Sequence, residues 1–346
     1  MRTVTVSFFP LLALITSFCL AETTLSNCNS DENLICAPVN PEDLLSIPAT
    51  VLVLVSSMED NGHLYVSNTK DLSSHIVFPT VNAKRSHDKH AYPDCPGPLS
   101  LPFRPHGLAM RQGENGAHTL YVVGHGAREA IEVFALEPSN TTATLTWIGC
   151  VVAPQGVSLN SVAPLPNGAF VTTNFNLEGG EVWEWQLGSG WSKVPGSDML
   201  GPNGIVASPD GKWLYIGGWQ DEALIRLSRN KETGNKQARG KQPFEKQLVK
   251  VGFHIDNVRW GKDGSILVAG QKGIRENVGA CLRQGQCEEV ATGIAKIDVN
   301  AMQVVAKHEL PSDDKFILGT VAIDVGNDIW VGGIAGGTYI GRFQFD

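Results

Sequence analysis

The sequence predicts an all-β fold, a six-bladed β-propeller with a central channel, on two observations. A polar group that opens a short apolar strand, followed by a turn and a second strand, recurs six times along the 346 residues. The six starts stand at positions 42, 106, 160, 203, 256 and 319, so that successive intervals are 64, 54, 43, 53 and 63 residues. Strand-only repeats of roughly 40 to 60 residues are typical of propeller blades, whereas a generic β-sandwich, the alternative, does not need six matching polar starts.

The repeat is easiest to follow over residues 200–228, LGPNGIVASPDGKWLYIGGWQDEALIRLS. It opens with Asn203-Gly204 and an apolar strand, after which Pro209 and Gly211 supply the fixed φ and the positive φ of a tight turn. Two further apolar strands complete a predicted antiparallel meander. An amide at the start of the first strand has no task in an ordinary sandwich. It has one where several sheets direct their first strands at a common axis.

The other five repeats open in the same way. Glu42-Asp43 precedes LLSIP, Pro105-His106-Gly107 precedes LAM, Asn160-Ser161 precedes VAPLP, Asp256-Asn257 precedes VRWGK, and Gly319-Thr320 precedes VAIDV. Residues 42–346 are therefore predicted to form one propeller domain. Two stretches interrupt the strand pattern: a charged run at 229–247, predicted to be a solvated excursion, and residues 271–292, predicted to be a loop over one rim.

The start of the chain is predicted to direct export. Residues 1–21 have the composition of a signal peptide, with Arg2, an apolar run over 6–20 and Ala21 before Glu22. A retained membrane anchor is the alternative. Residues 22–41 are polar and are predicted to be an N-terminal tail. We therefore expect an exported protein, secreted or periplasmic.

The cysteines agree with export. Six remain beyond the predicted signal peptide, and an even number in an exported chain favours disulfides over free thiols, the alternative. The pairs predicted from proximity along the chain are Cys28 with Cys36, Cys281 with Cys287 and Cys95 with Cys150.

The charge balance bears on the class of partner. The formal net charge is −8, and no cluster of lysine or arginine is present. This argues against nucleic acid or an anionic membrane surface as a partner. We expect a monomer that acts on a small molecule.

The polar groups that begin the inner strands predict a metal site. They converge at one end of the predicted channel, and all five are oxygen donors, two of them carboxylates: Glu42, Asn160, Asn203, Asp256 and Asn257. Mixed carboxylate and amide oxygens suit Ca²⁺, which takes six to eight such ligands. The alternative is that asparagine and aspartate cap strands and turns.

Several segments resemble, in order, a known family. PEDLLSIPATVLVLVSS, FRPHGLAM, LYVVGHGAREAIEVFAL, SLNSVAPLPNGAFVTTN, GPNGIVASPDGKWLYI and HIDNVRWGKDGSILVAG look like successive parts of the paraoxonase/arylesterase family. More loosely they resemble the gluconolactonase-like (senescence-marker) and strictosidine-synthase-like propellers. The resemblance spans roughly residues 40–345. It implies a six-bladed propeller, a catalytic calcium in the channel, and hydrolysis of lactones and aryl esters.

The resemblance also implies roles for individual residues. Glu42, Asn160, Asn203, Asp256 and Asn257 match the family's catalytic calcium ligands, the set already collected from the strand starts. Asp43 matches a ligand of a second, structural calcium ion. Ser161 stands where the family has another aspartate of that second site, which puts the second ion in doubt. His106 matches the proposed catalytic base, and His125 the histidine behind it.

His106 also suggests base chemistry by its own position, because an imidazole at the inner end of a strand can take a proton from water near neutral pH. His125, at the end of the next strand, could relay that proton. The alternatives are a pair of structural histidines, with Glu42 or Asp256 as the base. No GxSxG sequence is present, which argues against a covalent serine route.

Two functions follow from these residues. The first is a calcium-dependent hydrolase of lactones or aryl esters, in which the metal polarises the carbonyl and His106-activated water attacks it. The second is a non-catalytic propeller that binds a ligand or a protein around a structural calcium. Hydrolysis of phenyl acetate or a γ-lactone, with and without calcium, distinguishes them.

Overall fold

The structure, a computed structural model, describes residues 30, 32–113, 116–229 and 244–345. Within them, six small sheets stand in a ring and form a six-bladed β-propeller, which confirms the predicted fold. The predicted signal peptide at 1–21, Cys28 and most of the charged run at 229–247 lie outside the described residues.

The strands are numbered in chain order. Blade 6 begins with β1 (Leu34–Cys36). Blade 1 contains β2 (Pro41–Ser46), β3 (Leu52–Ser57), β4 (Leu64–Asn68) and β5 (Ser74–Phe78). Blade 2 contains β6 (Lys84–Arg85), β7 (Phe103–Gln112), β8 (His118–Gly126), β9 (Ala130–Pro138) and β10 (Ala143–Val152). Blade 3 contains β11 (Leu159–Pro164), β12 (Phe170–Asn174), β13 (Glu181–Gln186) and β14 (Gly190–Lys193), with a 3₁₀ turn at Pro166–Gly168.

Three blades complete the ring. Blade 4 contains β15 (Pro202–Ala207), β16 (Trp213–Gly218), β17 (Ala223–Ser228) and β18 (Lys246–Lys250). Blade 5 contains β19 (His254–Trp260), β20 (Ile266–Lys272), β21 (Ala291–Asp298) and β22 (Gln303–Pro311), with helix α1 (Arg275–Gln284) between β20 and β21. Blade 6 adds β23 (Leu318–Val325), β24 (Asp328–Ile334) and β25 (Tyr339–Phe343).

The first strand of each repeat lies innermost. Strands β2, β7, β11, β15, β19 and β23 each contact the next around the ring, and β23 contacts β2, so the ring closes about a central channel. The strands behind them alternate side chains between neighbouring blades, and the apolar core fills the spaces between blades. The rings of Phe78 in blade 1 and Phe103 in blade 2, for example, meet edge to face with 5.9 Å between centroids.

Ring closure differs from the sequence prediction at the N-terminus. Residues 22–41 were predicted to be a tail, but β1 pairs antiparallel with β25, and Ile35 is fully buried opposite Ile340. The two ends of the chain thus share blade 6. The local sequence does not predict β1 as a strand, because its partner lies about three hundred residues away and the two pair only when the ring closes.

The excursion in blade 5 also differs from the prediction. The predicted loop at 271–292 contains helix α1, which begins after the extended residue Ile274 and ends at Gly285, where φ is +69°. Gly285 adopts this left-handed conformation at little steric cost, as is common after a helix. The Cys281–Cys287 disulfide joins the end of the helix to the return segment.

Both disulfides that fall within the described residues are formed as predicted, Cys95–Cys150 and Cys281–Cys287. The third predicted pair includes Cys28, outside those residues. Disulfides are compatible with an exported protein. None of the helices that the structure describes has the length and apolar character to cross a membrane.

Candidate active site

Six β-bulges build the site. In every innermost strand the pairing register with the second strand shifts at one point near the strand's start. A bulge adds a residue, bends the strand and re-aims a side chain. The residues between the shifted pairs are Glu42, His106, Gly107, Asn160, Ser161, Asn203, Gly204, Asp256, Asn257 and Thr320. The polar strand starts of the sequence are thus the residues that leave the regular ladder.

Two glycines let the bulged strands approach one another. A Cβ atom at Gly107 would lie 2.5 Å from the backbone oxygen of Asn160, and one at Gly204 would lie 2.5 Å from that of Asp256. Both distances are below van der Waals contact. The His-Gly and Asn-Gly pairs therefore combine a side chain that faces the channel with a residue that leaves room for the next blade.

A cavity of about 710 Å³ opens at this end of the channel. Its polar lining includes most of the predicted site residues: Glu42, His106, His125, Asn160, Asn203 and Asp256. Asn257 is buried and acts on this wall indirectly, because its amide Nδ2 donates to Glu42 Oε1 at 2.7 Å. Five inner strands and the end of β8 thus bring seven predicted residues together.

Three oxygens at this end of the cavity lack a hydrogen-bond donor. Glu42 Oε2, Asn160 Oδ1 and Asn203 Oδ1 are buried and have no hydrogen-bond partner among the described residues. They come from blades 1, 3 and 4. A buried polar atom without a partner costs about 1–3 kcal/mol, so three such oxygens at one cavity end are suited to hold a cation. Together with the Asp256 carboxylate, this donor set fits Ca²⁺.

Electrostatics point the same way. Burial raises the pKa of Glu42, against a hydrogen bond from Asn257, and burial together with the charge of Glu42 raises the pKa of Asp256. Buried carboxylates with raised pKa values ionise more readily beside a cation. No cluster of three or more histidine, cysteine, aspartate or glutamate side chains suited to a metal occurs in the described ranges, since the predicted ligands combine two carboxylates with three amides.

Asp43 does not belong to this cavity, and the residues around it do not fit a second calcium ion. Its fully buried carboxylate forms an ion pair with the guanidinium of Arg259 and accepts the Leu108 backbone N–H at 2.7 Å. Burial raises the pKa of Asp43 to about 7, and Arg259 acts against that rise.

The same guanidinium donates to the carbonyl oxygens of Leu44 at 3.2 Å and Leu108 at 3.0 Å. The Arg259 guanidinium therefore already binds the oxygens that a second calcium ion would need. Ser161, the substituted position, instead accepts the Ile205 N–H at 3.3 Å through its hydroxyl.

The two histidines form a hydrogen-bonded chain that ends on a carboxylate. His106 Nδ1 lies 3.0 Å from His125 Nε2, and His125 Nδ1 lies 2.7 Å from Glu129 Oε2. The other oxygen, Glu129 Oε1, accepts the Leu159 backbone N–H at 2.6 Å. At the opposite end, His106 Nε2 lies 3.5 Å from Glu42 Oε1. Burial lowers the pKa of His106, which favours its neutral form.

Sequence reasoning missed three residues that organise the site. Glu129 holds His125, Arg259 holds Asp43, and the Gln271 amide donates to Asp256 Oδ2 at 2.7 Å while accepting the Trp219 indole N–H at 2.8 Å. Only Glu129 carried a signal, because it stands four residues after His125, which was predicted to end a strand. Arg259 lies inside a strand segment, and Gln271 is the first residue of the stretch predicted to be a loop.

Comparison with known proteins supports the fold. No protein-family model and no curated protein matches the chain. Among solved structures it is similar to a luciferin-regenerating enzyme (12% identity, 89% of this chain and 92% of that one, TM-score 0.55). It is also similar to regucalcin, a calcium-binding protein of Agrobacterium tumefaciens (13%, 90% and 93%, TM-score 0.53). A third is a candidate gluconolactonase (15%, 92% and 90%, TM-score 0.50). At these identities the likeness shows the propeller fold alone.

Proposed function

We propose that the protein is a calcium-dependent hydrolase of lactones or aryl esters. The observation that carries the proposal is the position of His106, whose Nε2 faces the same cavity end as the three oxygens without donors. A purely structural ion would need the oxygens but not an imidazole beside them. The solved structures with similar folds include a candidate gluconolactonase, and this likeness supports lactones as substrates.

The hydrogen-bond chain sets the direction of proton transfer. Glu129 accepts the Leu159 N–H at one oxygen, as a carboxylate does, so His125 Nδ1 carries the proton shared with the other oxygen. His125 Nε2 is then the acceptor for a proton on His106 Nδ1. This leaves the lone pair of His106 Nε2 free to take a proton from water, while His125 and Glu129 stabilise the imidazolium that forms.

Other residues of the cavity bind and polarise the substrate carbonyl. Glu42, Asn160, Asn203, Asp256 and Asn257 would hold calcium, which would supply a Lewis acid for the carbonyl oxygen. Asn257 also orients the Glu42 carboxylate, and Gln271 orients that of Asp256. His106 faces this set from blade 2, so an ester bound at this end of the cavity would contact both the base and the calcium site. Water attack at the carbonyl carbon gives a hydroxy acid from a lactone, or an acid and an alcohol from an ester.

Hydrolysis of phenyl acetate and a γ-lactone tests the proposal. We expect turnover with calcium and loss of turnover in EDTA. The melting temperature should fall with it, since an ion that binds only the folded state stabilises it by about 2.7 kcal/mol at a hundred times its Kd. Elemental analysis should find one calcium per chain.

The control for this test is to add metal ions back to the EDTA-treated protein. Added Ca²⁺ should recover both rate and melting temperature, and Mg²⁺ should recover less, because it demands a strict octahedral shell. Full activity of a metal-free protein would overturn the calcium dependence. Calcium binding with no hydrolysis would favour the non-catalytic alternative.

Glu129 is expected to act as a positioning residue. In Glu129→Gln only one side-chain oxygen remains, and if it keeps the Leu159 N–H, the amide NH₂ faces His125 Nδ1. His125 should then change tautomer. We expect kcat to fall by roughly 10–100-fold, the range for carboxylates that orient metal-ligating histidines, and imidazole ¹⁵N shifts to report the changed tautomer.

Glu137→Gln provides a matched control for this variant. Glu137 is exposed near the far end of β9, the strand that begins directly after Glu129. It should keep the wild-type rate and spectrum. If Glu129→Gln keeps them too, Glu129 does not set the proton chain.

A further inference from the structure

The cavity mouth combines apolar walls with arginines. Aromatic and aliphatic side chains line it, among them Phe175, Leu177, Trp219, Val278, Leu282 and Ile334. The same lining includes three guanidinium groups, from Arg104, Arg275 and Arg283, against a single acidic side chain outside the predicted metal ligands, Glu276. This local excess of positive charge occurs in a chain whose formal net charge is −8.

Arg104 stands beside the catalytic chain. It lies two residues before His106 on β7 and is the cross-strand partner of His125. Its Nε is buried and has no hydrogen-bond partner among the described residues. The nearest acid, Asp60, lies 4.0 Å from Nη1 and is 93% exposed, so this pair is weak and easily displaced.

The other two arginines come from helix α1. Arg275, Gly279 and Arg283 are spaced four apart and share one face of the helix. A Cβ at Gly279 would lie 2.8 Å from the Arg283 guanidinium, so the glycine leaves room for that side chain along the helix. Within the described part of the chain, neither guanidinium group has a hydrogen bond or ion pair. The Cys281–Cys287 disulfide anchors this face over the cavity.

We propose that this mouth binds an anionic group of the substrate. Resting on the proposed hydrolase function, the inference names the substrate class: lactones or esters with an apolar chain that ends in a carboxylate, remote from the scissile carbonyl. The carbonyl lies at His106, the chain packs on the apolar walls, and the carboxylate meets the arginines. Guanidinium groups without partners favour such an anion, because charge-assisted hydrogen bonds to carboxylates are strong and directional.

Matched ester pairs test the inference. Monophenyl adipate and monophenyl suberate carry a terminal carboxylate, and their phenyl methyl diesters are neutral with the same chain. With phenol release as the signal, we expect kcat/KM to be about tenfold higher for the anionic member, and the preference to shrink as salt rises. Arg104→Gln and the double variant Arg275→Gln/Arg283→Gln should each reduce this ratio at least threefold.

Arg85→Gln is the matched control, because Arg85 is exposed on the outer strand β6. It should keep the wild-type ratio. If phenyl esters are hydrolysed but the ratio is near one, or is unchanged in the arginine variants, the anionic subsite is wrong while the hydrolase function stands.

A binding measurement covers the case in which no ester is hydrolysed, where the proposed function itself fails. Calorimetry then compares octanoate with octanamide. Tighter binding of octanoate, weakened in the arginine variants and not in Arg85→Gln, supports the anionic subsite. Equal binding of the two compounds overturns it.

Discussion

Replacing His106 with glutamine is expected to lower kcat by roughly 10²–10⁴-fold, the usual contribution of a positioned general base. The reason is chemical, because the glutamine amide keeps a polar side chain of similar reach but cannot accept the proton of an attacking water. Calcium affinity should change little, since the oxygens without donors belong to Glu42, Asn160 and Asn203. Esterase kinetics and calcium calorimetry on the same preparation measure both effects.

The pH profile gives a second readout. In the proposed mechanism the neutral imidazole is the base, so the wild-type rate should rise with pH through an apparent pKa at or below that of an ordinary histidine, because burial lowers the pKa of His106. His106→Gln should flatten this limb. His125→Gln should have a smaller effect of the same kind, because it acts only through its hydrogen bond to His106.

Asp256→Ala is the contrasting variant. It removes a carboxylate from the oxygen set, so calcium affinity and activity should fall together, which His106→Gln should not reproduce. Full activity of His106→Gln with an unchanged pH profile would instead assign the base to a carboxylate, Glu42 or Asp256. The histidine pair would then be structural.

The sequence allowed the propeller and most of the site to be predicted for one physical reason. In each innermost strand the residue that faces the channel also leaves the ladder at a bulge, so a polar residue interrupts an otherwise apolar strand start. Asn160, Asn203 and Asp256 are visible in the sequence as such interruptions. Six repeats of the same interruption indicate a shared axis, even though the sequence does not show which residues of one blade contact the next.

Contacts set by ring closure could not be predicted in this way. Arg259 pairs with Asp43 across 216 positions, and β1 pairs with β25 across the two ends of the chain. In the sequence, Arg259 stands between Val258 and Trp260 and has the pattern of a charged residue on the solvent side of a strand. Only the bulge at Asp256 and Asn257 turns it toward the channel.

Arg259→Met is expected to destabilise the fold by about 3–5 kcal/mol, the usual cost of removing one partner from a buried ion pair. The guanidinium donates to Asp43, to the Leu44 carbonyl in blade 1 and to the Leu108 carbonyl in blade 2, while it belongs to blade 5. Its loss leaves a fully buried carboxylate and two carbonyl oxygens without their donor. Chemical denaturation in EDTA, which removes any contribution from the metal, measures the change in the free energy of unfolding.

Two comparisons separate the ion pair from other effects of the substitution. Arg85→Met, on the exposed outer strand, should leave stability within about 0.5 kcal/mol, as is usual for surface positions. The double variant Arg259→Met/Asp43→Asn should recover part of the loss, because removing the charge of Asp43 relieves the cost of burying it alone. No recovery would mean that the methionine fails through packing rather than through the unpaired carboxylate.

Calcium binding by Arg259→Met tests whether the Arg259 guanidinium stands in the place of a metal ion. In Arg259→Met the Asp43 carboxylate and the Leu44 and Leu108 carbonyls become free oxygen ligands in the channel. Such a set attracts Ca²⁺, so calcium should restore more stability to this variant than to wild type and should bind with an additional, weaker step in calorimetry. The double variant Arg259→Met/Asp43→Asn should lack this additional binding step, because it has no carboxylate at position 43. An Arg259→Met protein that is as stable as wild type in EDTA would show that three blades meet at this point without needing a cation.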